Sequence, residues 1–274
     1  MPRSDIMQKI TNAPLYQAIN LTDIELEEID LILSGYSPNA SIDIYCRECK
    51  QHSVFNPSDE GQLKANEAGT ISYKLGKARI PYVCIHYRCS RDLDHYFAMT
   101  VFLFDDCLVK FGQYPSKADI EYPELERYEK VIDKGMLADF KRALGLSSHG
   151  IGAGAFVYLR RVIEYLVELA HIEKSSTDSF DEGEYNKSRF SEKIAILSDS
   201  LPKIIIENKE IYGILSKGVH ELSEQECLDN FDVMKISILA IFDEILAKNE
   251  AAAKRMALKK SIDQTVSILG NRTS

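Results

Sequence analysis

The 274-residue chain has no apolar run near the roughly 18 residues that a membrane span needs. Its most apolar stretch, Tyr96–Phe104, is too short and carries Thr100. The start, from Met1 to Ile10, holds Arg3, Asp5 and Lys9 and no continuous apolar segment, so no secretory leader is expected there. An excess of basic residues is missing too. The formal net charge is −9, which disfavours association with nucleic acid through bulk charge. There is no internal repeat and no low-complexity segment. These absences predict a cytoplasmic protein with no membrane partner, a setting in which cysteines stay reduced. The six cysteines are therefore expected to be metal ligands or core residues rather than disulfides.

What is present is an ordinary globular composition, 45% apolar and 27% charged. Its patterning changes along the chain. Residues 1–40 read as a helical segment, with Thr22 and Glu25 forming a capping box and Gly35 and Pro38 stopping the helix. Residues 41–114 carry short β-forming runs at Ile42–Tyr45, Ile80–Val83, Tyr96–Phe104 and Leu108–Phe111, separated by Gly, Pro, Asn and Asp. Both faces of Tyr96–Phe104 are apolar, which predicts a strand buried on both sides.

Residues 115–274 read as helical. A helix is expected from Pro123 to about Asp133. A strong amphipathic helix should carry Phe156, Leu159, Ile163, Leu166, Val167 and Ala170 on one face. The polar stretch Glu173–Lys187 reads as a loop, followed by helices near Phe190–Ser198 and Ile204–Leu215. After a second capping box at Ser223 and Glu226, apolar residues from Phe231 to Leu246 cover most of a helix circumference. Such a helix suits a bundle centre or a homodimer interface. A last helix, Ala251–Leu269, has a thin stripe of Leu258, Ile262, Val266 and Leu269 and a basic cluster of Lys254, Arg255, Lys259 and Lys260. The fold class expected is α+β: a small zinc-bound, zinc-ribbon-like β module, then an all-α bundle.

The chemistry-bearing motif is Cys46-Arg-Glu-Cys49. A turn of this spacing sets two thiolates at a distance that one tetrahedral Zn²⁺ bridges. Cys84, His86, Cys89 and His95 lie downstream. Two ligand sets remain open: Cys46, Cys49, Cys89 and His95, or the same three thiolates with Cys84 in place of His95. Either closes the coordination shell, which is the structural rather than the catalytic arrangement of zinc. A β module of about 70 residues has little net stability from its core, and a bound zinc would supply what it lacks. Cys107 and Cys227 read as core residues.

Three strings carry a resemblance. They are Lys110-Phe-Gly-Gln-Tyr-Pro-Ser116, Arg142-Ala-Leu-Gly-Leu-Ser-Ser-His149 continuing to Glu164, and Leu215-Ser-Lys-Gly-Val-His-Glu-Leu-Ser-Glu224. Over about residues 41–248 the chain resembles a family of uncharacterised bacterial proteins with a HEPN-like helical domain, often found near restriction and phage-defence genes. The resemblance implies the Cys-x-x-Cys pair and the Cys89-Ser-Arg91 and His95 pattern, favouring His95 over Cys84 as fourth ligand. It also implies a candidate nuclease pattern, an Arg followed by a His with about four to six residues between, in which Arg clamps a phosphate and His moves a proton.

Arg142 and His149 meet that pattern, but so do Arg47 with His52, Arg79 with His86 and Arg88 with His95. A second constellation is Arg160, Arg161, Glu164 and His220, where Lys217 precedes the His and departs from the catalytic pattern. Ion pairing within one helix accounts for Arg161 and Glu164. The glycines at 150, 152 and 154 lack the full dinucleotide-loop spacing and a preceding βαβ strand. The sequence thus names a metal site but no reaction. Two functions follow: a non-enzymatic binding or regulatory protein that dimerises or docks a protein partner, or a metal-independent ribonuclease acting as a dimer, with RNA as its substrate.

Overall fold

The computed structural model describes residues 5–33, 41–58, 82–104, 107–176 and 180–270. The expected stops Gly35 and Pro38, and Ile80 of an expected strand, lie outside these residues. By compactness the chain divides into two units, Met1–Glu126 with Lys141–Ala155, and Arg127–Phe140 with Phe156–Ser274.

The first unit opens with helix α1 (Asp5–Asn12), strand β1 (Ala18–Asn20) and helix α2 (Asp23–Leu33). Thr22 caps α2 as its sequence predicts. The Thr22 N–H donates to Glu25 Oε2 at 2.8 Å, and the Glu25 N–H donates to Thr22 Oγ1 at 3.3 Å. That amide and Lys9 hold the Glu25 carboxyl down at about 2. Strands β2 (Ile42–Cys46), β3 (Gln51–Pro57), β4 (Tyr82–Cys89), β5 (Tyr96–Phe104) and β6 (Cys107–Tyr114) then form an antiparallel meander. β1 adds to its far edge, giving the order β1-β6-β5-β4-β3-β2.

Alternation along the strands puts Ile42, Ile44, Phe55, Ile85, Tyr87, Phe97, Met99, Val101 and Leu108 on one buried face. Ile6, Met7 and Ile10 of α1 and Ile29 of α2 belong to the same core. The other face of β5 is not buried as expected. Tyr96 is exposed and stacks on Tyr114 at 5.3 Å, and Phe102 is half-buried. Tyr96 and Tyr114 are aromatic neighbours on adjacent strands of that face.

Lys110 of β6 is 1% exposed within this unit. Its ammonium donates to the Thr11 carbonyl at 2.8 Å and to Gln113 Oε1 at 2.6 Å. Burial, with nearby Lys117, pulls its pKa down to about 7.

After β6 come helix α3 (Lys117–Glu121), a 3₁₀ turn (Tyr122–Tyr128), α4 (Lys134–Ser148) and α5 (Gly152–Ser175). The expected helix from Pro123 to Asp133 is therefore that 3₁₀ turn and the residues after it. Gly150 ends α4 at φ 77, with the Ile151 N–H on the Leu146 carbonyl and the Gly150 N–H on the Ser147 carbonyl, a Schellman stop. The glycine is required there by conformation, not by a nucleotide.

The second unit continues with α6 (Glu182–Lys187), α7 (Phe190–Ile196), α8 (Lys203–Glu207), α9 (Glu210–His220) and α10 (Glu224–Gly270). Asp181 caps α6 through the Glu184 N–H at 2.9 Å, so part of the expected loop is helical. The α5 face predicted from Phe156 to Ala170 is buried. Phe231, Met234, Ile238, Ile241 and Phe242 of α10 are buried as well, and Phe242 meets Tyr128 and Phe140 edge-on, each at 5.4 Å. That face, which the sequence offers as a bundle centre or a dimer interface, is occupied by the chain's own core. The two helices expected at 231–246 and 251–269 are one continuous α10. The link Ala251-Ala-Ala253 is made of the strongest helix former, and nothing there breaks the helix.

The fold class needs correction. The sheet is not a small zinc-ribbon-like module followed by a separate all-helical HEPN-like bundle. The six described strands form one sheet whose unit also takes in α1, α2, α3 and the end of α4. Buried Ala143 and Leu144 and the Leu15 N–H donated to the Ser148 carbonyl at 2.9 Å hold that last segment in the sheet unit. Helices are shared between the units, so a bundle set apart after residue 114 is not found.

Two tests follow. The unfolded chain binds the Lys110 proton up to about pH 10.5 and the folded chain only to about 7. Between these values the unfolded state carries more protons, so stability rises with pH, by up to about 1.4 kcal/mol per unit from this group. Urea unfolding between pH 7 and 10.5 should show that slope flattened in Lys110→Met. Separately, a Cβ on Gly218 of α9 would lie 2.2 Å from Cδ1 and 2.9 Å from Cγ of buried Phe156. Gly218→Ala should cost about 1–3 kcal/mol by thermal denaturation, despite the better helix propensity of Ala.

Candidate metal centre

Two hairpin turns meet at one end of the sheet. β2 ends at Cys46, residues 47–50 turn, and β3 starts at Gln51. Lys50 takes the left-handed conformation, φ 55, that closes the turn. The Cys49 N–H donates to Cys46 Sγ at 3.4 Å, so the turn folds around that sulfur. β4 ends at Cys89 and β5 begins at Tyr96, directly after His95. The β3–β4 register sets Phe55 opposite Cys89, which brings this second turn beside the first. Backbone bonds fix it there: Ser90 N–H to the Val54 carbonyl at 2.8 Å and Cys89 N–H to the His95 carbonyl at 3.0 Å. Arg88 Nη1 also donates to the Leu93 carbonyl at 3.0 Å.

Cys46, Cys49, Cys89 and His95 converge, their donor atoms all within 4.8 Å of one another. His95 Nδ1 lies 3.2 Å from Cys49 Sγ and 3.6 Å from Cys46 Sγ, and the Cys49 and Cys89 sulfurs are 3.9 Å apart. A tetrahedral zinc, with bonds of about 2.3 Å to sulfur and about 2.05 Å to nitrogen, sets S···S at about 3.8 Å and S···N at about 3.6 Å. The Cys49–Cys89 and Cys46–His95 separations lie close to these values, and the Cys49–His95 separation is about 0.4 Å shorter. Cys46 and Cys89 are buried, Cys49 and His95 half-buried. The donor set could hold one metal ion.

The surroundings suit it. His95 Nε2 faces Asp92 Oδ2 at 3.5 Å, and Asp92 Oδ1 accepts the Asp94 N–H at 3.0 Å. A carboxylate on the far side of the ring is a common partner of a metal-ligating histidine. Burial pushes the Cys46 thiol up to about 12. Burial would raise Cys89 too, but Ser53 Oγ at 3.1 Å and the backbone N–H groups of Arg91 and Asp92 outweigh it and bring that thiol to about 7. Ser53 and Asp92 were not singled out from the sequence. Asp92 had one signal, its place three residues before a histidine ligand.

The alternative fourth ligand, Cys84, is elsewhere. It stands five residues before Cys89 on β4, about 16 Å along the strand. Its sulfur lies 3.1 Å from His86 Nε2 and accepts from Thr100 Oγ1 at 3.6 Å. All six cysteines are free thiols, with Cys227 buried and Cys107 half-buried.

The candidate nuclease residues fall in both units, and each group is described within its own. Arg142 and His149 belong to the first unit, seven positions apart on and just beyond α4, or about 10 Å of helical rise. His149 Nδ1 is bonded to the Gly145 carbonyl at 2.9 Å. In the second unit Arg161 Nε pairs with Asp139 Oδ2 at 3.1 Å, not with Glu164. Glu164 Oε1 instead accepts from Arg160 Nε at 2.8 Å and from Tyr212 at 3.1 Å. His220, exposed at the end of α9, lines a cleft of about 360 Å³ with Tyr212, Lys209 and Lys217.

Among the described residues, no helix is long and apolar enough to cross a membrane. Compared with models of known families, with curated proteins and with solved structures, the chain matches none.

The ligand assignment is checked by metal content. Wild-type protein refolded with excess Co²⁺ should bind one equivalent with an absorption band of thiolate-to-cobalt charge transfer. His95→Ala and Cys89→Ser should lower the affinity by at least about 10-fold. Cys84→Ser should leave both stoichiometry and spectrum unchanged.

Proposed function

We propose that this chain is a non-enzymatic binding or regulatory protein whose sheet is braced by a structural zinc ion on Cys46, Cys49, Cys89 and His95. One observation supports the reading: three thiols and an imidazole from two separate turns bring their donor atoms within 4.8 Å of one another, with Asp92 behind the histidine. Three thiolates and an imidazole select zinc over the hard cations. Four protein ligands complete a tetrahedral shell and leave no place for water, which separates a structural from a hydrolytic zinc. The ion would tie the β2–β3 turn to the β4–β5 turn, and the surfaces beside them would be available to a partner.

The sheet unit buries a core that spans all six strands, α1 and α2. Metal removal should therefore loosen the turns first rather than unfold the whole chain. Purified protein should contain one zinc per chain by elemental analysis. A strong chelator should lower the thermal midpoint by several degrees and speed amide exchange at residues 46–53 and 89–95 before the rest of the sheet. A protein without stoichiometric metal, whose exchange ignores the chelator, sinks the reading.

Metal-independent RNA cleavage is the second reading, favoured by the cleft that gathers Lys209, Lys217 and His220. Lysines there would hold phosphate and His220 would move the proton. Mixed RNA incubated with wild type and with His220→Ala separates the two. Intact RNA in both supports the binding protein. Cleavage lost in a folded His220→Ala supports the ribonuclease.

A further inference from the structure

Cys84 and His86 stand two residues apart on β4, on the face turned away from the core. Ile85 and Tyr87 alternate with them and are buried, whereas Cys84 and His86 are half-buried. Residues two apart on a strand are about 6.6 Å from one another along it, so their side chains touch only when both lean inward. Here they do. The Cys84 sulfur lies 3.1 Å from His86 Nε2. Thr100, opposite Cys84 on β5, donates its hydroxyl to the same sulfur at 3.6 Å.

The cross-strand neighbours of this group are small. Ala98 stands opposite His86, and Gly112 of β6 stands opposite Thr100. A Cβ on Gly112 would come within 3.5 Å of Thr100 Oγ1, so the glycine keeps that side of the hydroxyl clear of a side chain. The β5–β6 register shifts directly after Thr100, and such irregularities re-aim side chains beside reactive groups. A thiol in contact with an imidazole can pass its proton to the ring, and the thiolate is the nucleophilic form. A hydroxyl that donates to the sulfur favours that charged form.

We infer that Cys84, with His86 and Thr100, is a redox-reactive thiol that hydroperoxides oxidise to the sulfenic acid. The Cys84 thiolate attacks the hydroxyl oxygen of the hydroperoxide. An S–O bond forms and the O–O bond breaks. The proton taken up by His86 goes to the departing oxygen, which leaves as an alcohol, or as water when the oxidant is hydrogen peroxide. Sulfur loses two electrons and the peroxide gains them. Acyl transfer would ask in addition for donors around a developing oxyanion. Oxidation asks only for a nucleophile and a proton carrier, which Cys84 and His86 supply. The product is a reversible modification, suited to a regulatory protein. Cys84 is outside the proposed zinc ligands, so the inference is independent of the metal.

The test exposes the full chain, with and without added zinc, to dilute hydrogen peroxide and dimedone, which traps sulfenic acid. Peptide mass mapping locates the label. At pH 7 Cys84 should be labelled at least about 10-fold faster than Cys107, which is half-buried too, in both metal states. Failure of the zinc reading would instead show as labelling of Cys46, Cys49 and Cys89 that zinc does not slow. His86→Ala should slow labelling of Cys84 by about 10-fold or more at pH 7. That gap should close near pH 10, above the ordinary thiol range, where the thiolate forms unaided. Thr100→Val should slow labelling by a few-fold, a smaller loss than that of the proton carrier. Labelling of Cys84 no faster than of Cys107 overturns the inference. So does a His86→Ala chain that matches wild type at pH 7, or one slowed equally at both pH values.

Discussion

The structure turns on the meeting of two hairpin turns that are distant in sequence and adjacent in the sheet. Cys46 and Cys49 belong to one and Cys89 and His95 to the other, and their donor atoms come within 4.8 Å. Left as thiols and imidazole, such a group is awkward. Burial drives the Cys46 proton onto its sulfur, while Ser53 and backbone amides draw the Cys89 proton off. A divalent ion there would take thiolates and a neutral imidazole together. The β3–β4 register does the positioning, and that register is set by a core whose side chains alternate to one face. The site thus depends on the sheet, and an ion in it would tie the two turns together.

This changes the weight of an argument made from the sequence. A module of about 70 residues would lean on a metal for net stability. The actual unit recruits α1, α2, α3 and the end of α4 around its sheet, so it has an apolar core of ordinary extent. Stability no longer argues for the metal, and geometry has to. The histidine brings the sharper point here. A core histidine would settle one nitrogen on a carbonyl, whereas His95 turns Nδ1 toward two sulfurs and Nε2 toward a carboxylate.

What the sequence made legible was local. The Cys-x-x-Cys turn, the capping boxes at Thr22 and Ser223 and the buried face of α5 each depend on residues within a few positions of one another. The choice between Cys84 and His95 was open because spacing along the chain suits both, and only strand register tells the end of β4 from its middle. β1 escaped notice because Ala18-Ile-Asn20 is too short to display a two-residue period. β5 read as doubly buried because Tyr96 and Phe102 look like core residues until Tyr96 is found stacked on Tyr114 outside. The break between two C-terminal helices was inferred from a fading apolar pattern. A helix needs no such pattern to continue through alanine and lysine, only the absence of a breaker.

The residues that invited a catalytic reading show how little residue type says without convergence. General acid–base work needs the groups to reach a common reacting atom. Arg161 is turned to Asp139, Glu164 is shared between Arg160 and Tyr212, and His149 is bound to a backbone carbonyl of its own helix. Arg161–Asp139 and Tyr212–Glu164 join different helices, while Arg160–Glu164 and His149–Gly145 lie within one, all ordinary structural uses of polar side chains. His220 differs, since it opens onto a cleft with two lysines. Among the described residues, soft donors gather at the two turns and ion pairs lie within the helical unit, while Leu258 and Ile262 of α10 stay exposed.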